Sequence, residues 1–498
     1  MAQTQNPEFL ETRSVGRLLF EFSLPAITAA FVMATYNLVA RVFVGQCFGT
    51  DGLAAVTVAF PVILIFLAIA MTIGTGATII ISIKLGERNN EQAEEALGQA
   101  LFLSAATSVL FTAFGIAFME PLLRLFGATE AVMPLAKSYL SVLIWGVFPQ
   151  HIAYGVNNFI RAEGKPKIAM VSMFIAAIVN AALDWFFLFY LKTGIWGAGL
   201  ANVLACCVSA AWICWLYFSG RTTLRWRWKY CCRFNWKLTK EIAVLGGVPF
   251  ATQACAMILS VTQNNMLGQF GRKYGEAMNY AFDGGDVAVA VMGIAIAIAN
   301  AVLMPFLGLG QGLQPIVGYN VGAKRPDRVL PALTLALKVV VVAGFAAWFV
   351  LMLWPKPFVW LFLNSSEPGY DEKLALGTSA IRFVMCGLPF VGVNILAGGY
   401  FQAHGRPILA LMLTLLRQLL FLLPCLYFLP RIFEACGVVG LNGCWFSFPI
   451  SDALAFAIAA VFLGIEYRTK KKEIAEYRLL KAEKAATEAG KAATATGV

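Results

Sequence analysis

Residues 168–190 read IAMVSMFIAAIVNAALDWFFLFY, an apolar run in which Asp184 is the single charged side chain. Wound as a helix at about 1.5 Å per residue, the run is about 35 Å long, enough to cross a hydrocarbon layer about 30 Å thick. Lys165 and Lys167 precede it and Lys192 follows it, so the apolar stretch is bracketed by charge. Runs of the same kind recur along the chain. The approximate spans are 18–44, 53–83, 96–118, 134–157, 168–190, 195–218, 242–268, 278–307, 329–354, 376–401, 408–430 and 440–465. In lipid every backbone polar group must be paired within its own segment, so such runs are helices. The fold class is an all-α polytopic membrane protein with twelve transmembrane helices.

Composition agrees. Of 498 residues 59% are apolar and 13% charged, about half the charged share of a soluble domain. The mean hydropathy is +0.74. The formal net charge of +11 is concentrated in two segments. Residues 219–240 carry seven Lys or Arg and no acid, and residues 467–498 carry eight against four Glu. The rest of the chain is neutral. That distribution excludes a nucleic-acid binder, which spreads its charge over a reading face. It fits basic cytoplasmic segments beside apolar spans. With the N-terminus inside, about 26 basic residues, Arg161 among them, fall on that side and about seven on the other, so both termini are expected to be cytoplasmic. The N-terminal residues, with Glu8, Glu11, Arg13 and Arg17, do not read as a cleaved signal peptide. The eleven cysteines include the adjacent pairs Cys206-Cys207 and Cys231-Cys232, have no zinc-ligand spacing and are expected to be free thiols.

The two halves repeat. Gly74-Thr75-Gly76 with Gly86 matches Gly310-Gln311-Gly312 with Gly322, and Ala162-Glu163-Gly164-Lys165-Pro166 matches Ala403-His404-Gly405-Arg406-Pro407. Gly194-Ile195-Trp196-Gly197 matches Gly437-Val438-Val439-Gly440. Six spans per half make the halves parallel, two lobes with a substrate path between them. The expected organisation is a cytoplasmic N-terminal segment (1–17), an N-terminal lobe (18–218), a basic linker (219–240), a C-terminal lobe (241–466) and a basic tail (467–498). The linker, with Trp226, Trp228 and Trp236, is expected to lie along the membrane interface.

Each charge inside a span costs roughly 2.5–3.5 kcal/mol on insertion scales and needs a reason. Asp184 follows Asn180 by four residues on one helix face, an arrangement able to hold a proton or to place oxygen ligands around Na⁺, with Asn202 as a further ligand. The alternative is a structural polar contact between helices. Asp283 and Asp286 offer a second acidic site at the start of span eight, the alternative being two carboxylates at the water interface. Asp452 reads as the buried partner of Arg382 or Arg417, and Lys338 as a snorkelling lysine. Tyr36 and Tyr139 place hydroxyls in apolar spans. Neither a nucleophile elbow nor a Walker lysine is present, His151 has no metal partner in sequence, and His404 reads as solvated in a cytoplasmic turn.

Taken together, the pieces resemble the multidrug and toxic compound extrusion (MATE) family over about residues 15–465. They are Phe60-Pro61-Val62, Asn180 through Asp184, Gly194-Ile195-Trp196-Gly197-Ala198, Gln311-Gly312-Leu313-Gln314-Pro315 after span eight, Gly318-Tyr319-Asn320-Val321-Gly322-Ala323, Arg417-Gln418 and Pro449-Ile450-Ser451-Asp452. The resemblance implies a V-shaped pair of lobes in an inner membrane. It implies an antiporter, with no further cofactor, that expels amphipathic and often cationic compounds in exchange for H⁺ or Na⁺. It also implies an ion site in the N-terminal lobe at Tyr36, Tyr139, Asn180 and Asp184. The family's first-span acid is replaced by Ala40, and its threonine near the start of span six by Asn202. Asp184 alone is then the preferred coupling group, ahead of Asp283 or Asp286. Small molecules and membrane lipids are the expected partners, nucleic acid is not, and the chain is expected to be monomeric. The competing readings are a flippase for a lipid-linked precursor, which needs a strongly basic cavity, and an intramembrane transferase, which needs His151 close to Asp184.

Overall fold

The computed structural model describes residues 9–126, 130, 132–231, 234–278, 284–362 and 369–495. Asp283 lies outside the described residues, as do the side chains of Tyr36 and Asp286. The described residues are helical almost throughout and contain no strand. The main helices are α1 (Val15–Gly86), α2 (Asn90–Ala117), α3 (Met133–Trp145), α4 (Pro166–Trp185), α5 (Ile195–Phe218), α6 (Trp236–Ala277), α7 (Gly284–Gly322) and α8 (Pro326–Leu353). They continue with α9 (Tyr370–Met385), α10 (Leu388–Ala403), α11 (Pro407–Leu415), α12 (Leu423–Ala435) and α13 (Gly440–Ala495). Among the described residues ten helices are long and apolar enough to cross a membrane, and α9 with α10, bent by 45°, makes an eleventh. The remaining interval, 134–157, is α3 followed by three short pieces, Val147–His151, a π-helical turn at Ile152–Val156 and Asn157–Ala162.

Three boundaries differ from the sequence expectation. The first two spans are not separated by a loop, because helix runs unbroken through α1. Ser23 and Ser82 nevertheless both pack on the same part of α7, against Gly312 and Gly318. A straight helix would hold them about 88 Å apart. The helical run therefore reverses between its apolar stretches Val15–Met33 and Ala55–Gly86. The eighth span extends past residue 307 to Gly322, which takes the Gln311–Pro315 motif into the helix. The twelfth continues through the basic tail to Ala495, where the Arg325 guanidinium lies 5.7 Å from the Tyr477 ring. The nine cysteines whose side chains are described are free.

Glycines set how the halves meet. A Cβ on Gly86 would overlap the Tyr319 carbonyl oxygen, and one on Gly322 would overlap that of Ile83. Gly76 lies in the same way on Ile242, and Gly246 on Thr72. The glycine repeat is thus the contact between the halves at the end carrying the basic loops. One hydrophobic core joins both halves there, including Leu18, Ile81, Leu313 and Val317. At the other end Val44, Ala55, Val62, Leu140, Ile144 and Ile195 form a separate cluster drawn wholly from the N-terminal half. The N-terminal half thus has a second core of its own at that end.

The basic linker is tied down by acids of the N-terminal half. Glu94 accepts from the Arg225 N–H at 3.1 Å and pairs with Arg227 at 2.6 Å, while Glu91 accepts from the Tyr230 hydroxyl at 2.9 Å. Glu163, buried in the turn before α4, accepts from the Tyr217 hydroxyl at 2.8 Å and from the Thr223 N–H at 2.6 Å. Trp228 and Trp236 stay exposed, as an interfacial strap needs. Burial pushes the Glu163 carboxyl up to about 7, against the opposing pull of Tyr217, the Thr223 N–H and Lys165. Its folded value lies above the unfolded one, so its contribution to stability is full below about pH 4.5 and is lost as the pH rises through 7. Thermal melts should show the wild type losing stability between those limits more steeply than Glu163→Gln. Parallel slopes would refute the assignment.

In the second repeat the matching turn is tied to α13. Glu466, buried, accepts from Tyr400 at 3.0 Å and from Arg406 at 2.7 Å. His404 is not solvated as expected. It stacks on Tyr400 with its side chain 8% exposed, and burial, then Lys470 and Arg406, push its pKa down to about 3.

Candidate transport cavity and ion site

Asp184 lies one residue before the end of α4, where the backbone passes into a π-helical turn at Phe186–Tyr190. Asp184 and Asn180 are both buried. With its amide oriented to satisfy both neighbours, Asn180 donates to Asp184 Oδ2 at 3.1 Å and accepts from the Asn202 backbone N–H at 3.2 Å. Asp184 Oδ1 is buried and has no hydrogen-bond partner. Asn202 therefore serves through its backbone, and its side chain faces Cys206 Sγ at 4.0 Å instead of the carboxylate. Tyr139 packs on α5 at Gly199, one turn before Asn202. The fold thus gathers Asn180, Asp184 and Asn202 and sets Tyr139 beside the same stretch of α5. No cluster of three His, Cys, Asp or Glu side chains able to hold a metal occurs among the described residues.

A second feature lies apart from this pocket. Between the halves is a cavity of about 470 Å³ walled by α1, the short helix Asn157–Ala162, α4, α6, α7, α10 and α11 with the π-helical turns at 152–156 and 416–422. Its apolar side is rich in Met33, Met71, Met170 and Met173, and its polar side carries Asn157, Asn158, Arg161, Gln311, Gln314, Gln402, Arg417 and Gln418. Asp184 is not in the wall. Methionine walls adapt to different ligand shapes, and the volume lies within the range of small-molecule sites.

Arg161 corrects the sequence reading. Counted among the basic loop residues, it is 8% exposed and turns into the cavity, where it donates to Gln311 Oε1 of the other half and to Asn158 Oδ1. A signal existed, since the 162/403 repeat aligns Arg161 with Gln402, which also lines the cavity and reaches Gln314 at 3.4 Å.

Asp452 pairs with Arg417 at 2.6 Å, whereas Arg382 is exposed on α9 and is not its partner. Lys338 is exposed, as a snorkelling side chain would be. Removing one member of a buried pair leaves an uncompensated charge, a cost of about 3–5 kcal/mol. Asp452→Asn should therefore lower the melting temperature, and the double change Asp452→Leu with Arg417→Met should restore most of the loss. A double variant no more stable than the single would contradict this.

The structure also weighs the competing readings. His151 is buried against Thr107 and Ser108, each 3.4 Å from Nδ1, and its Nε2 has no hydrogen bond to the unpartnered Asp184 Oδ1. The cavity has two arginines, one neutralised by Asp452, and is not the strongly basic surface that a pyrophosphate-bearing lipid needs.

A family model, MatE, matches residues 25–186 and 278–428, more than half of the chain. The chain belongs to the MATE family. Its fold superimposes on a ligand-bound MATE multidrug transporter, DinF-BH, at a TM-score of 0.80 and 35% identity over 90% of this chain and 95% of the other. An outward-facing multidrug resistance MATE transporter matches with a TM-score of 0.84 over 94% of this chain and 99% of that one, at 24% identity. Among curated relatives, an FAD transporter of Shewanella oneidensis is 27% identical over 90% of this chain and 94% of its own length. The multidrug export protein MepA of Staphylococcus aureus is 22% identical over 91% and 94%. This MATE protein is a multi-pass membrane transporter and not an enzyme.

Proposed function

We propose that this MATE protein is a secondary exporter of amphipathic organic solutes, moving them out of the cell in exchange for H⁺ or Na⁺ by alternating access. The observation that carries the reading is the separation of two sites. A buried carboxylate with an unpartnered oxygen, Asp184, sits inside the N-terminal half, while a methionine-rich cavity lies between the halves. Ion binding at Asp184 would favour one arrangement of the lobes and solute the other, and coupling requires that difference in affinity. The lobes 18–218 and 241–466 would rock about the glycine contact, with the basic loops, the linker and both termini in the cytoplasm. A lone carboxylate beside one amide suits a proton better than Na⁺, which needs more oxygen ligands. The multidrug relatives support export, and the FAD transporter extends the family's substrates to a nucleotide. Purified protein in proteoliposomes, given a pH gradient and a Na⁺ gradient separately, tests the reading: uptake of a dye under the pH gradient is expected, and no movement under either gradient would overturn it.

A further inference from the structure

The central cavity carries an uncompensated positive charge. Among the described residues that line it there are two arginines and no Asp or Glu. Arg417 is neutralised by Asp452 at 2.6 Å. Among the described residues Arg161 has no carboxylate partner, and its guanidinium donates there only to the neutral amides of Gln311 and Asn158. Beside it, one helical turn earlier, Asn157 is fully buried in the cavity wall with neither its amide nitrogen nor its carbonyl oxygen paired. Gln418 adds a buried oxygen without a partner on the facing half.

An unpaired buried cation is costly, and a bare amide beside it costs more. Both costs vanish when a ligand brings the negative charge and the hydrogen-bonding groups. A guanidinium has five donors in a planar fork, of which two are in use here, and that fork matches an oxyanion. A cation in the same cavity would meet Arg161 with no acid to offset it. We infer that the cavity selects organic anions: Arg161, with Asn157 beside it, forms an oxyanion subsite, and the methionine side takes an aromatic body. The inference rests on the proposed role of this cavity as the solute site. It reverses the cationic preference that the family resemblance implies.

Fluorescein and rhodamine 6G share a xanthene skeleton and carry opposite charge at about pH 8, so they isolate the charge term. Binding of each to the purified full-length protein is read by fluorescence anisotropy. Fluorescein should bind at least about tenfold more tightly than rhodamine 6G, and the ratio should fall to about one or invert in Arg161→Gln. Arg161→Lys, which keeps the charge, should retain a preference for the anion; a merely structural role for Arg161 would not sort the two variants this way. A wild type that binds rhodamine 6G as tightly as fluorescein overturns the inference, whatever the variants do, and so does an unchanged ratio in Arg161→Gln. Gradient-driven export of rhodamine 6G without an anion preference would leave the exporter reading standing and remove only the anion subsite. Anion binding through Arg161 without movement under either gradient would do the reverse.

Discussion

Asp184→Asn is expected to lower gradient-driven transport more than about tenfold while leaving protein abundance and solute binding unchanged. The substitution keeps shape and the Asn180 contact but removes the ionisable oxygen, and Asp184 Oδ1 is the buried atom that no protein group satisfies. Because the central cavity does not include Asp184, solute should still bind with near wild-type affinity. Loss of binding together with transport would point to a structural role, and full gradient-driven transport in the variant would remove Asp184 from the coupling site. Among the described residues its hydrogen-bond partner is the neutral amide of Asn180, so the effect should not be buffered by a neighbour.

Gly86→Val should be nearly as damaging. At Gly86 the Tyr319 carbonyl oxygen occupies the place of a side chain, and at Gly322 the Ile83 carbonyl does the same. Both obstacles are helix backbone, which cannot rotate away as a side-chain tip can. A β-branched residue must push α1 and α7 apart at the end where the halves share one core. Transport should fall at least about tenfold, and cysteines placed at positions 83 and 319 should cross-link less readily than in a Gly86 background. Gly464→Ala is the control, since nothing lies within 4 Å of that position. Wild-type transport and cross-linking in Gly86→Val would show that the close approach does not matter.

Much of the architecture was legible because the bilayer imposes a length and polarity rule on every span. Each apolar interval is helical through nearly all of its described residues, and the glycine repeat, found as a spacing, proved to be the contact between the halves. Asp184 with Asn180 was legible for the same reason: two polar side chains four residues apart in an apolar run share a face. Arg161 was misread because it lies next to a turn, where a basic residue is ordinarily solvated. Its direction depends on Gln311, 150 positions away, which no local rule supplies. His404 failed in the same way, its burial being set by Tyr400 and Glu466.

The sequence alone determined that the chain is a repeat of membrane-spanning helices, because apolar length, loop charge and spacing are local quantities that lipid and backbone hydrogen bonding read directly. Only the tertiary structure decided which polar groups meet. It paired Asp452 with Arg417 and left Arg382 outside, folded α1 back on itself, separated Asp184 from the cavity and turned Arg161 into it. Those outcomes depend on the rotation and approach of whole helices, which are set by packing across the molecule and not by any one segment.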